Sequence, residues 1–143
     1  MPLAGERLTF GWALALDYHV GWRGHDLVDS VALMCAESAR YVEAWHENYI
    51  GVPPDELQLV STDWGLFQIN DRWHPDFELP EMYKNAIANA RYAHGMYKDQ
   101  GKSFHAWAAY DSGAYKQFIP DVLEHYELDR WRLKVANVEK RFA

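Results

Sequence analysis

The chain has 143 residues, 49% apolar and 24% charged, with 14 Lys and Arg against 21 Asp and Glu and a formal charge of −7. That size and balance fit one folded domain over residues 1–143 and exclude a disordered chain or a coiled coil. The acidic excess leaves no broad basic stripe, which argues against nucleic acid as a partner, and the single cysteine, Cys35, excludes an intrachain disulfide scaffold. Aromatic residues reach 15%, with seven Trp, nine Tyr and six Phe. Aromatic faces suit sugars, peptides and bases, so a binding cleft is expected.

Along the chain, Leu8 to Tyr18 reads as a first helix whose apolar run Trp12–Leu16 is too short to span a membrane. No cluster of positive charge precedes that run and no small-residue cleavage site follows it, so no signal peptide is expected. Gly21 to Gly24 breaks the helix, and Asp26 can cap a second one running to about Trp45. Leu27, Val31, Met34, Cys35 and Ser38 form its core stripe, and Ser30, Leu33, Glu37 and Tyr41 a neighbouring one. Gly51, Pro53 and Pro54 then stop helical structure. Leu57 to Asn70 is expected as the one strand-forming part, a small hairpin around Gly65.

A third helix is expected from Pro80 or Glu81 to Gln100, with Met82, Ile87, Ala90, Tyr92 and Tyr97 alternating roughly with polar residues and Gly101 as its stop. Ser103 can cap a short helix through Tyr110. Pro120 suits the first position of a final helix with Val122, Tyr126, Leu133 and Val138 buried. The fold class is therefore α+β, mainly helical, with a small β-hairpin lobe and a cleft between the lobes.

Two carboxylates can carry chemistry. Glu37 is flanked by Met34-Cys35-Ala36 and Ser38-Ala39. A carboxyl beside apolar groups is poorly solvated and holds its proton to higher pH, which suits a general acid. From spacing alone, a solvated glutamate on the flank of an amphipathic helix is the more frequent case. Asp63 lies in STDWGLFQINDRW, next to hydroxyls that can donate to a carboxylate. Gln68 and Asn70 alternate with Phe67 and Ile69, so an extended strand would put both amides on one face. They would either meet a hydroxyl-rich substrate or hold the hairpin turn together. Trp64 is expected to pack inward and Trp73 to stay exposed. Two carboxylates in contrasting surroundings are what cleavage of a glycosidic bond requires.

The segment Ser61 to Trp73 resembles the STDYGILQINSRW stretch of c-type lysozymes at nearly every position. Arg23-Gly24, Leu27, Val31 and Glu37-Ser38 resemble that family's RG..L...V.....ES helix, and Ala106-Trp107-Ala108-Ala109-Tyr110 resembles its AWVAW segment. The resemblance implies a lysozyme-like fold, with Glu37 as catalytic acid and Asp63 as second carboxylate. It also implies that Trp107 packs against the acid, and that Gln68, Asn70, Trp73, Ala106 and Tyr110 belong to the substrate site. His74 stands where the family has a further tryptophan.

Three departures bear on function. The family's disulfide cysteines are missing, which fits a chain made in a reducing cytoplasm. The spacing between Glu37 and Asp63 is longer, which predicts extra length near Gly51 to Leu59 as a loop over the cleft. Ala108-Ala109-Tyr110-Asp111-Ser112-Gly113 resembles the A-x-Y-N-x-G phrase of lytic transglycosylases. Three readings follow: a muramidase hydrolysing peptidoglycan, a lytic transglycosylase forming anhydro sugars with the glutamate alone, and a non-catalytic sugar-binding module. The expected partner is the peptidoglycan glycan chain, with no cofactor, no metal and no membrane. The expected setting is a bacteriophage lysin domain, monomeric or fused to a wall-binding or virion domain, with a bacterial wall enzyme as the alternative.

Overall fold

A computed structural model describes residues 3–53, 55–77 and 85–143. Helix α1 is Phe10–Val20, capped by the Thr9 side chain accepting from the Trp12 N–H, and Ala13 to Asp17 are buried in it. Helix α2 is Gly24–Ser38, and ten of its fifteen residues are buried. Its N-cap position is Arg23; Asp26 falls within the first turn rather than before it, where it accepts from the Tyr97 hydroxyl.

The sequence pattern carries α2 on to about Trp45, but the helix ends at Ser38. Ala39 and Arg40 both take left-handed backbone, with φ of 52° and 67°. Buried Arg40 pins this turn: its guanidinium donates to the Leu8 carbonyl and the Cys35 sulfur and lies over the Phe10 ring. Cys35 is thus a core thiol, raised in pKa by its burial. A tertiary contact overrides a sequence that by local preference could have continued as helix.

The freed segment becomes strand β1, Trp45–Ile50, which the sequence pattern does not reveal. It pairs antiparallel with β2, Gln58–Trp64, which pairs with the short β3, Ile69–Asn70, in the order β1-β2-β3. Residues 51–57 form the β1–β2 connection. The described residues among them, 51–53 and 55–57, do not line the cleft described below, so the expected loop over the cleft is instead the end of a hairpin.

Helix α3 is Ala86–Asp99, capped by the Asn85 side chain. The expected start near Pro80 and Met82 lie outside the described residues. After Gly101 the short helix is α4, Ala108–Asp111, with Trp107 at its N-cap; Ser103 instead accepts from the His105 N–H. A 3-10 turn, Ala114–Phe118, leads to α5, Ile119–Leu128, with Pro120 in its first turn. The expected single final helix is broken at Asp129, which is left-handed, and continues as α6, Arg132–Val135, and α7, Val138–Phe142. Val122 and Val138 are buried, but Leu133 is 82% exposed, because the break takes it off the face that a continuous helix would have buried.

One core joins α1, α2, α3 and the C-terminal helices to Leu66, Phe67 and Ile69 of the β lobe. Asn89 of α3, fully buried, makes the junction: its carbonyl accepts from the Phe67 N–H and its amide donates to the Trp64 carbonyl. Gly65 passes between them at φ 75°, where an added Cβ would lie 2.3 Å from the Asn89 amide. Among the described residues no helix is long and apolar enough to cross a membrane.

Candidate functional site

Glu37 stands in the last turn of α2, where backbone carbonyls point outward and disfavour negative charge. It lines a cleft of about 330 Å³ with Asp63, Gln68, Asn70, Trp73 and Trp107. Burial raises its carboxyl above the ordinary 4.5, and the charge on Asp63 adds to the effect, bringing it to about 7. A glutamate in this position keeps its proton near neutral pH and can donate it.

Asp63 reaches the cleft from the central strand. It sits opposite His46 of β1 and Asn70 of β3, so the three share one face of the sheet, joined by Asn48 and Ser61 at the two-residue repeat. The Asn70 amide donates to one carboxylate oxygen at 2.9 Å and the Asn48 amide to the other at 3.2 Å. Both amides also donate to the Ser61 hydroxyl, at 3.0 and 3.2 Å. Asp63 is therefore held in one orientation by two strands. Asn48 and His46 are not marked by the sequence because β1 itself is hidden there, and strand alternation identifies them once β1 is paired. Ser61, one of the hydroxyls expected to donate to Asp63, instead accepts from the two amides.

The far wall is Trp107, 4% exposed, whose indole N–H donates to the Phe67 carbonyl at 2.8 Å. That bond ties the helical side of the cleft to the hairpin turn. Ala106 lies beside it on the rim, facing Met96 of α3. Trp73 is 73% exposed at the mouth, as its neighbours suggested, with the Arg72 guanidinium 5.4 Å from its ring centre. Trp64 is only partly buried, with its indole N–H donating to Asp71.

Gln68 departs from expectation. It is not in an extended strand: its φ is 49°, and its amide donates to the carbonyls of Ala44 and Gly65. Its amide therefore secures the turn, although the residue still lines the cleft. The left-handed residue breaks the alternation, so Gln68 and Asn70 do not present a matched pair. Asn70 likewise serves the turn, its carbonyl accepting from the N–H groups of Arg72 and Trp73. Tyr110 does not line the cleft; it stacks on Tyr115 at 4.9 Å and packs against Phe104.

His74, Met96 and Ala106 also line a second hollow of about 420 Å³, bounded by Asp76, Arg91 and Tyr92. The two hollows adjoin at the three shared residues. His74 meets Tyr92 edge-on where the tryptophan of the c-type pattern is missing.

Among the described residues, His25, Asp26 and Asp29 are the one group close enough together to hold a metal ion. They occupy the first turns of α2 and line no part of the cleft.

Compared with known families, residues 14–109 match the family described as a lysozyme-like domain. No curated protein and no solved structure matches the chain.

Proposed function

The chain belongs to the lysozyme-like domain family, and from that premise we propose that it is a muramidase, hydrolysing the β-1,4 bond between N-acetylmuramic acid and N-acetylglucosamine in peptidoglycan. The observation that carries the reading is Glu37, raised to about 7 by burial, in one cleft with Asp63, whose carboxylate is held by two amides.

In this mechanism Glu37 donates its proton to the glycosidic oxygen as the bond breaks. Asp63 faces the positive charge that develops on the sugar ring, as nucleophile or as electrostatic partner. The assignment of acid and second carboxylate follows the contrast of surroundings for which lysozyme is the general model. Once Glu37 is ionised it can take a proton from the incoming water, returning the site to its starting state. We assign Trp73, Asn70 and the Ala106 rim to holding sugar rings across the mouth, and Trp107 to keeping water from the acid. Gln68 we assign to shaping the turn that carries these groups.

A second reading is favoured by the transglycosylase-like phrase from Ala108 to Gly113. There Glu37 alone acts, and the muramyl 6-hydroxyl replaces water. The lack of disulfides fits synthesis in a reducing cytoplasm. The setting we favour is therefore a bacteriophage-delivered domain, alone or attached to a wall-binding or virion domain. Release of reducing ends from purified peptidoglycan tests the assignment. The chain should release them, and Glu37→Gln should remove nearly all of that activity while remaining folded. Full activity in the variant would sink it.

A further inference from the structure

The charge of −7 is unevenly distributed. Residues 130–143 carry five cations, Arg130, Arg132, Lys134, Lys140 and Arg141, against one acid, Glu139. Helices α6 and α7 bring part of this charge to α1. Trp12, Asn137, Lys140 and Arg141 line a hollow of about 440 Å³. The Lys134 ammonium lies 5.0 Å from the Trp12 ring centre and the Arg141 guanidinium 5.5 Å. Phe142 meets the same indole edge-on.

The seat for Lys134 is specific. Gly11 lies under its stem, and a Cβ there would come within 3.3 Å of the lysine Cε. Arg141 is already paired with Glu6, and Glu139 with His19 and Arg91. Lys134 and Lys140 have no acidic partner among the described residues. None of these groups lines the cleft.

Two ammonium groups without an acidic partner among the described residues, and an arginine, around an indole form a site for an anion carried on a chain with C–H surfaces. The cations meet phosphate, and the ring meets the carbon skeleton between phosphates. At physiological salt, charges more than about 8 Å away are largely screened, so the patch acts locally despite the acidic total. We propose that this surface binds a polyol phosphate polymer of the bacterial wall and so holds the domain against its substrate. The proposal rests on the peptidoglycan reading for its choice of polyanion. It also answers how an acidic protein could stay on an anionic wall.

The test compares the chain with the double variant Lys134→Glu/Lys140→Glu. Each is sedimented with walls rich in polyol phosphate, before and after hydrofluoric acid has removed that polymer. The variant should bind untreated walls about tenfold more weakly, through loss of salt-sensitive phosphate contacts. Both proteins should bind stripped walls equally. Equal binding of the two to untreated walls overturns the proposal, as does stronger binding of the parent chain to duplex DNA or to phosphatidylglycerol vesicles. Thermal unfolding checks the fold, and Lys134→Gln/Lys140→Gln serves if the glutamate pair does not fold. Release of reducing ends from stripped walls should be the same for both. Its absence in the parent chain would contradict the glycosidase reading and leave the binding result standing.

Discussion

Replacing Glu37 with glutamine keeps the size of the side chain and removes its proton equilibrium. In the folded chain the carboxyl titrates near 7, whereas an exposed glutamate does so near 4.5. Below about 4.5 both states hold the proton, and the site costs nothing. As pH rises towards 7 the unfolded chain ionises freely while the folded chain must keep the proton, so stability falls. Above 7 the loss is complete, and the gap corresponds to about 3 kcal/mol. The variant has no such dependence at this position. Its stability relative to the parent should therefore rise by about 3 kcal/mol between pH 4.5 and 7 and then level off. Urea unfolding of both proteins across that range reads the difference, and any fixed offset from the amide drops out. A difference that stays flat, or that falls with rising pH, would refute the claim that burial holds the proton on Glu37. The same substitution should cost about 10²–10⁴ in turnover, the usual range for a positioned acid.

Asp63→Asn removes the charge that helps to raise Glu37, so the upper limb of the pH–activity profile should move to lower pH; an unmoved limb would show that the two groups do not interact. Trp73→Ala removes a ring that is 73% exposed, so KM for glycan should rise while the melting temperature stays nearly constant. Asn89→Ala orphans the Phe67 N–H and the Trp64 carbonyl together, and chemical denaturation should show a loss of about 2–5 kcal/mol.

The helical stripes were legible because their period repeats over several turns. Leu27, Val31, Met34, Cys35 and Ser38 are all buried, as their spacing requires. The α+β class, the turn at Gly65 and the exposed Trp73 could be read as well. The end of α2 could not, because it depends on Arg40 reaching Leu8 and Cys35 across the fold. With that turn hidden, β1 was hidden too, and with it Asn48, the amide on Asp63 that no local pattern marks. Gln68 was misplaced for a related reason: one left-handed residue cancels the alternation on which strand reading depends. Glu37 and Asp63 were found through a resemblance, and their spacing alone would have left Glu37 a surface glutamate. What the fold adds is the physical contrast between them, a buried acid at a helix end and a carboxylate clamped by amides on a sheet.

The central claim is that this cleft hydrolyses the peptidoglycan backbone through Glu37 and Asp63. Mass spectrometry of the glycan fragments released by the chain tests it most directly. Hydrolysis through the two carboxylates should leave muramyl ends that have gained water. Fragments ending in 1,6-anhydromuramic acid would contradict the two-carboxylate hydrolysis and assign the cleavage to Glu37 alone, while a glycan left intact would contradict cleavage altogether.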